Sequence, residues 1–278
     1  MNKYMNKSIK LNPFLSFNTK KGFTLAEVLI TLVIVGIIAA VTIPTIIAEH
    51  RKQVLIEQLK VAVSVFAQGF KQAMVDDGVS DLRDTRFYKA CDAQSTEHFE
   101  WNDNCRPYLK KYFNVIKIES VDDMKALGDT VNIITDTAKC KELVGVTNKW
   151  YYLNDKSKCR GWKNLAITLA NGIRADLYLS STGSWSAGSM TALDVNGSKP
   201  PNTWGRDTFS FYIGLNGNMI PSYGREHFQR LSEANGNSFE DYIQNYHWSR
   251  NDVCSSTTTE EGYRCASRVI ESGWKMDY

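Results

Sequence analysis

Several sets of residues in this sequence have the types and spacing to do chemistry. A lone carboxylate, Glu27, lies inside the apolar run Phe23–Ala48. A charge at the centre of a bilayer costs roughly 2.5–3.5 kcal/mol even on lenient insertion scales, so an acid in such a run is a functional candidate that needs a partner. A second set lies in DVNGSKPPNTWGRDTFSF, Asp194–Phe211. Asp194, Asn196, Asn202 and Asp207 offer hard oxygen donors, the ligand chemistry of calcium. Their spacing leaves the EF-hand pattern after its third ligand position, where Ser198 and Lys199 follow Gly197. The competing reading is a rigid turn built on Asx hydrogen bonds and on the geometry of Gly197 and Gly205, which needs no ligand and is the simpler of the two. If calcium binds, Asp207→Ala is expected to abolish its effect and to cost little in its absence.

The six cysteines fall into sequence-local pairs: Cys91 with Cys105, Cys140 with Cys159, Cys254 with Cys265. Fifteen connectivities are open. The local one is favoured because short loops close at the lowest entropic cost. No pair has C-x-x-C spacing, which argues against zinc and thioredoxin-type chemistry. The histidines His50, His98, His227 and His247 are scattered, and the sequence holds no G-x-S-x-G, H-E-x-x-H or phosphate-loop pattern, so no catalysis is expected. Lys149, Trp150, Tyr151, Arg160, Trp162 and Lys163 interleave bases and aromatics as single-strand binders do. Core aromatics beside a disulfide explain the same residues, and nucleic acid is the weaker reading.

The elements that position these residues begin with a membrane segment. As a helix, Phe23–Ala48 would span about 39 Å, longer than the roughly 30 Å hydrocarbon layer. The leader Met1–Gly22 holds five lysines and no acid, so the remainder of the chain has more acids than bases. The basic leader should stay cytoplasmic and the C-terminal bulk should lie outside, where cysteines form disulfides. Gly22 precedes the apolar core, whereas a secretory signal has its small-residue cleavage site after it.

This arrangement resembles the type IV prepilin family, including the pseudopilins of type II secretion. The residues that carry the resemblance are Lys20-Lys21-Gly22, Phe23-Thr24-Leu25-Ala26-Glu27, and an apolar helix with Pro44. The resemblance implies cleavage between Gly22 and Phe23 by a prepilin peptidase and N-methylation of Phe23. It also implies that Glu27 attracts the terminal amine of a neighbouring subunit during filament assembly at an inner-membrane platform. Pro44 lacks an N–H and should kink or loosen the helix. A leader of this length is long for the family. Some pseudopilins bind calcium in the loop corresponding to Asp194–Asp207, and many pilins close a C-terminal region with a disulfide, as Cys254 and Cys265 could.

Beyond the membrane an apolar stripe of Leu55, Leu59, Ala62, Phe66, Phe70 and Ala73 predicts that the helix continues to about Asp76, with Gly78 as its stop. Leu165–Ser180 reads as a hairpin about Asn171-Gly172, and Asp207–Pro221 as a strand with a second Asn-Gly turn. Short apolar pieces occur at Tyr112–Ile118 and Val131–Ile134, and a weak helix at Phe239–Tyr246. The expected class is α+β: a long N-terminal helix, transmembrane half plus amphipathic half, on an antiparallel sheet with large disulfide-bearing loops. The expected division is a cleaved leader 1–22, a membrane or filament-core helix 23–48 and an extracytoplasmic head 49–278. The functional expectation is a structural subunit, a minor pilin, in a cell-surface or periplasmic filament. The alternatives are a type II secretion pseudopilin and an anchored extracellular binding protein that never polymerises.

Overall fold

The stripe of Leu59, Ala62, Phe66, Phe70 and Ala73 is buried on one face of a 53-residue helix, α1 (Leu25–Asp77). The structure, a computed structural model, describes residues 22–92, 104–119, 135–144, 149–161, 165–180, 189–222, 254, 262 and 264–278. Residues 1–21 of the leader, His98, Val131–Ile134, Trp162, Lys163, His227, Phe239–Tyr246 and His247 lie outside these residues. The chain forms two compact units, Met1–Ala48 and Glu49–Tyr278. In the first, α1 is exposed and apolar: its richest window has a mean hydropathy of 2.6, long and apolar enough to cross a membrane. The helix runs through Pro44, which cannot donate to the carbonyl one turn back.

α1 ends where the glycine signal places it. Gly78 has φ +66°, its N–H donates to Val75 O at 3.1 Å, and Val79 N–H donates to Met74 O at 3.0 Å. This paired arrangement satisfies carbonyls that the last turn leaves open. After a 3₁₀ turn at Leu82–Asp84 come α2 (Arg86–Cys91) and α3 (Arg106–Phe113), joined by the Cys91–Cys105 disulfide. Phe113 stacks on Phe66 at 5.2 Å and meets Phe70 edge-on at 5.2 Å, with Phe87 at 5.7 Å. Gly69 makes the approach possible, since a Cβ there would stand 2.3 Å from Phe113. Fully burying each such ring is worth about 1.5–3 kcal/mol.

The main sheet contains β1 (Val115–Glu119), β4 (Leu165–Leu169), β5 (Arg174–Tyr178), β6 (Met190–Asp194), β7 (Thr208–Ile213) and β8 (Met219–Pro221) in that spatial order, all antiparallel. Ile167, Leu177, Leu193, Phe209 and Phe211 join the buried residues of α1 in one core. The sheet has a second covered face. The small hairpin of β2 (Lys149–Tyr151) and β3 (Cys159–Gly161), tied by Cys140–Cys159 to α4 (Thr137–Leu143), brings Trp150 against Trp204 edge-on at 5.1 Å, in a cluster with Tyr152 and Ala192. The last helix, α5 (Cys265–Glu271), starts at the Cys254–Cys265 disulfide. The class is therefore α+β, a long N-terminal helix and an antiparallel sheet with three local disulfides.

Candidate functional site

At the start of α1, Thr24 and Glu27 cap the helix reciprocally. Thr24 N–H donates to Glu27 Oε2 at 2.8 Å, the Thr24 hydroxyl donates to the same oxygen at 2.8 Å, and Glu27 N–H donates to Thr24 Oγ1 at 3.2 Å. A Thr-x-x-Glu box satisfies two of the amides that every helix N-terminus leaves open, and places a negative charge where the helix dipole favours it. The capping role of Thr24 goes beyond its place in the prepilin resemblance, and the box spacing T-L-A-E displays it. Phe23 and Glu27 are both exposed, as are most of the apolar residues that follow, and this surface is suited to lipid or to other helices.

The structure brings the four oxygen-bearing residues of the 194–207 segment together. Asp207 ends the loop that leads into β7 and is fully buried. Its Oδ2 accepts the Asn202 N–H and its Oδ1 the Thr203 N–H, each at 2.7 Å. Asp194, at the end of β6 and opposite Thr208, is equally buried, and its Oδ2 accepts Trp150 Nε1–H at 2.8 Å. Asn196 and Asn202 donate through their amide nitrogens to Pro200 O at 3.3 Å and Ser198 O at 3.2 Å. Asn196 also donates to the Asp207 carboxylate. What remains is a set of buried oxygens that accept no hydrogen bond: Asp194 Oδ1, Asn196 Oδ1 and Asn202 Oδ1. Burial and the facing Asp207 hold Asp194 well above the usual carboxylate range. Burial pushes Asp207 up to about 6 against the pull of its backbone and Asn196 donors.

Two buried acids with orphaned oxygens beside them form an acceptor-rich pocket; Arg174, cross-strand from Asp194, supplies one nearby positive charge, and the unfilled oxygens remain costly unless a further donor or cation meets them. The donors are all oxygen, the chemistry of calcium and not of zinc. Among the described residues no three His, Cys, Asp or Glu side chains group as metal ligands, so a cation here would rely on amide as well as carboxylate oxygens. The turn geometry is present too: Gly197 has φ +69°, and a Cβ there would lie 2.7 Å from Gly172 O.

Comparison with known proteins bears on the other end of the chain. Residues 17–43 match the family described as the prokaryotic N-terminal methylation motif. They carry the type IV prepilin signature. No curated protein and no solved structure matches the chain. The matched segment supports a type IV pilin- or pseudopilin-like reading of the chain, and the helix that follows it is long and apolar enough to cross a membrane.

Of the bases and aromatics around β2, Tyr151 and Arg160 are half-buried and two are buried. Lys149 and Trp150 are each 1 % exposed, and Trp150 serves as the donor to Asp194. The sequence did not mark Trp150 as part of the loop, because the two are 44 positions apart and only sheet pairing joins them. The expectation that Asp207→Ala costs little without calcium does not survive the geometry, since both its oxygens hold backbone N–H groups.

Proposed function

We propose that the chain is a minor subunit of a type IV pilin-like filament. Prepilin peptidase cuts between Gly22 and Phe23 and the Phe23 amine is methylated. The helix 23–48 keeps the subunit in the inner or cytoplasmic membrane with its head outside, and an assembly platform moves it into a surface or periplasmic filament. The observation that carries the reading is the prepilin signature over residues 17–43, with a lone carboxylate at the start of an apolar helix. Opposite charges attract far more strongly in low dielectric than in water, and a well-formed pair offsets their desolvation. The amine of a neighbouring Phe23 is such a partner for Glu27, which has lone pairs left beyond those used by Thr24. The deciding experiment is Glu27→Val co-expressed with wild-type partners and the export machinery. The variant inserts and is processed but stays out of filaments; its normal incorporation, or a wild-type chain that never crosslinks to another subunit, overturns the proposal.

We also propose that the head holds calcium through Asp194, Asn196, Asn202 and Asp207. The orphaned oxygens support this, and a cation would satisfy them. The same loop favours the second reading, a type II secretion pseudopilin, because the resemblance implies calcium at the corresponding place in some of those proteins. A ligand that binds only the folded state stabilises it by RT ln(1 + [L]/Kd), about 2.7 kcal/mol at a hundredfold excess over Kd. Melts of the full chain in detergent should therefore shift upward with calcium and return with chelator, and identical melts contradict the site.

A further inference from the structure

The segment that carries the cation ligands is gripped from outside by Tyr278. Its phenol donates to Gly205 O at 2.6 Å, and Arg206 Nη1 donates back to Tyr278 O at 3.2 Å. The tyrosine ring lies within cation–π reach of two guanidinium groups, 5.7 Å from Arg206 Cζ and 5.5 Å from Arg268 Cζ. Arg268 is itself fixed, donating through Nε to Asp277 Oδ1 at 2.8 Å and through Nη1 to Cys254 O. On the other side Gly205 rests on the Cys254–Cys265 disulfide, where a Cβ would stand 2.5 Å from Cys265 Sγ.

Gly205 sits between the two backbone amides that hold Asp207, those of Asn202 and Thr203, and Asp207 itself. Its N–H donates to Thr208 O at 2.8 Å. Any movement of the Gly205 carbonyl must therefore carry the Asn202–Asp207 turn with it. Ligand rigidity sets calcium affinity as much as ligand count does. Groups that hold metal ligands from outside typically change affinity by 10–100-fold when removed.

We infer that Tyr278 is a positioning residue for the calcium ligands, so that cation binding and docking of the Trp274–Tyr278 segment are one linked equilibrium. The inference rests on the calcium reading above. Linkage is reciprocal: if the docked segment strengthens calcium binding, calcium must strengthen docking by the same factor.

The test compares the full chain in detergent with Tyr278→Ala and Tyr278→Phe, measuring calcium affinity by titration calorimetry and hydrogen exchange across residues 274–278 with calcium or chelator. Tyr278→Ala weakens calcium binding about tenfold or more. Tyr278→Phe keeps the ring between the arginines, loses only the bond to Gly205 O, and weakens binding less. Calcium slows exchange at 274–278 in the wild type. If Tyr278→Ala lowers the chelator melt yet binds calcium as the wild type does, Tyr278 is merely structural and the inference falls while the calcium site stands. If Tyr278→Ala does not fold, Tyr278→Phe decides, and wild-type affinity with calcium-independent exchange overturns the inference. A wild-type chain that binds no calcium removes both readings at once.

Discussion

Asp207 has two tasks that pull in different directions. Its oxygens hold the Asn202 and Thr203 amides, and its charge faces Asp194 in a buried setting. Asp207→Ala therefore leaves two N–H groups without acceptors, at about 1–3 kcal/mol for each unsatisfied group, and lowers stability even in chelator. Asp194→Asn behaves differently. It retains an oxygen for Trp150 Nε1–H and removes an acid whose ionisation burial and Asp207 already oppose, so chelator stability holds or rises while the calcium increment shrinks. Chelator and calcium urea melts of the two variants separate these outcomes; a loss in Asp194→Asn equal to that in Asp207→Ala would contradict the assignment. Sequence reasoning selected all four oxygen-bearing residues from type and spacing. It could not reveal that three of their oxygens would be orphaned, because that depends on which way each amide turns in the folded loop.

At the scale of elements, α1 carries two acids at its C-terminal end, Asp76 and Asp77, and no base in its last turn, against the preference of the helix dipole. The bases come from elsewhere. Arg86 bonds Asp77 through its side chain and its N–H, and Lys111 reaches Asp76 at 2.5 Å. These hydrogen bonds hold both carboxyls below the usual range. A lowered folded pKa contributes stability that is present above the unfolded value of about 3.9 and is lost as pH falls through the folded value. Asp77→Asn thus lowers the melting temperature at neutral pH and flattens its decline in acid, which melts from pH 7 down through the carboxylate range check. Gly69→Ala should cost about 1–3 kcal/mol by forcing Phe113 off its place, read from urea melts in chelator.

The amphipathic half of α1, its Gly78 stop and the Asn-Gly turns were legible because each has a local signature. Gly172 and Gly217 do take positive φ, at +86° and +74°. The hairpin turn is looser than the shortest Asn-Gly form, with Leu169 N–H donating to Ile173 O at 2.9 Å. β6 was not legible. Both of its faces are covered, so Met190–Asp194 shows no polar–apolar alternation, and β7 is buried at every position. Trp150 and Tyr278 escaped for a different reason: their partners are 44 and 73 positions away, and no local pattern encodes such pairs.

At the scale of the whole molecule, three disulfides close loops of 14, 19 and 11 residues, the local pairing that short-loop closure favours. Each is worth about 2–4 kcal/mol, chiefly by restricting the unfolded chain. They suit a head that works outside the cytoplasm, and mild reductant should lower its melting temperature. The central claim, however, concerns the other unit. A pilin-like subunit keeps its apolar helix after processing, whereas a secretory signal loses it. Intact mass spectrometry of the protein purified from cells that contain the prepilin peptidase separates the two. The expected mass is that of a chain that begins at Phe23, carries one methyl group on its amine and retains the whole of α1. A chain beginning after Ala40 or Ala48, or one still carrying Met1–Gly22 in the presence of active peptidase, would contradict it.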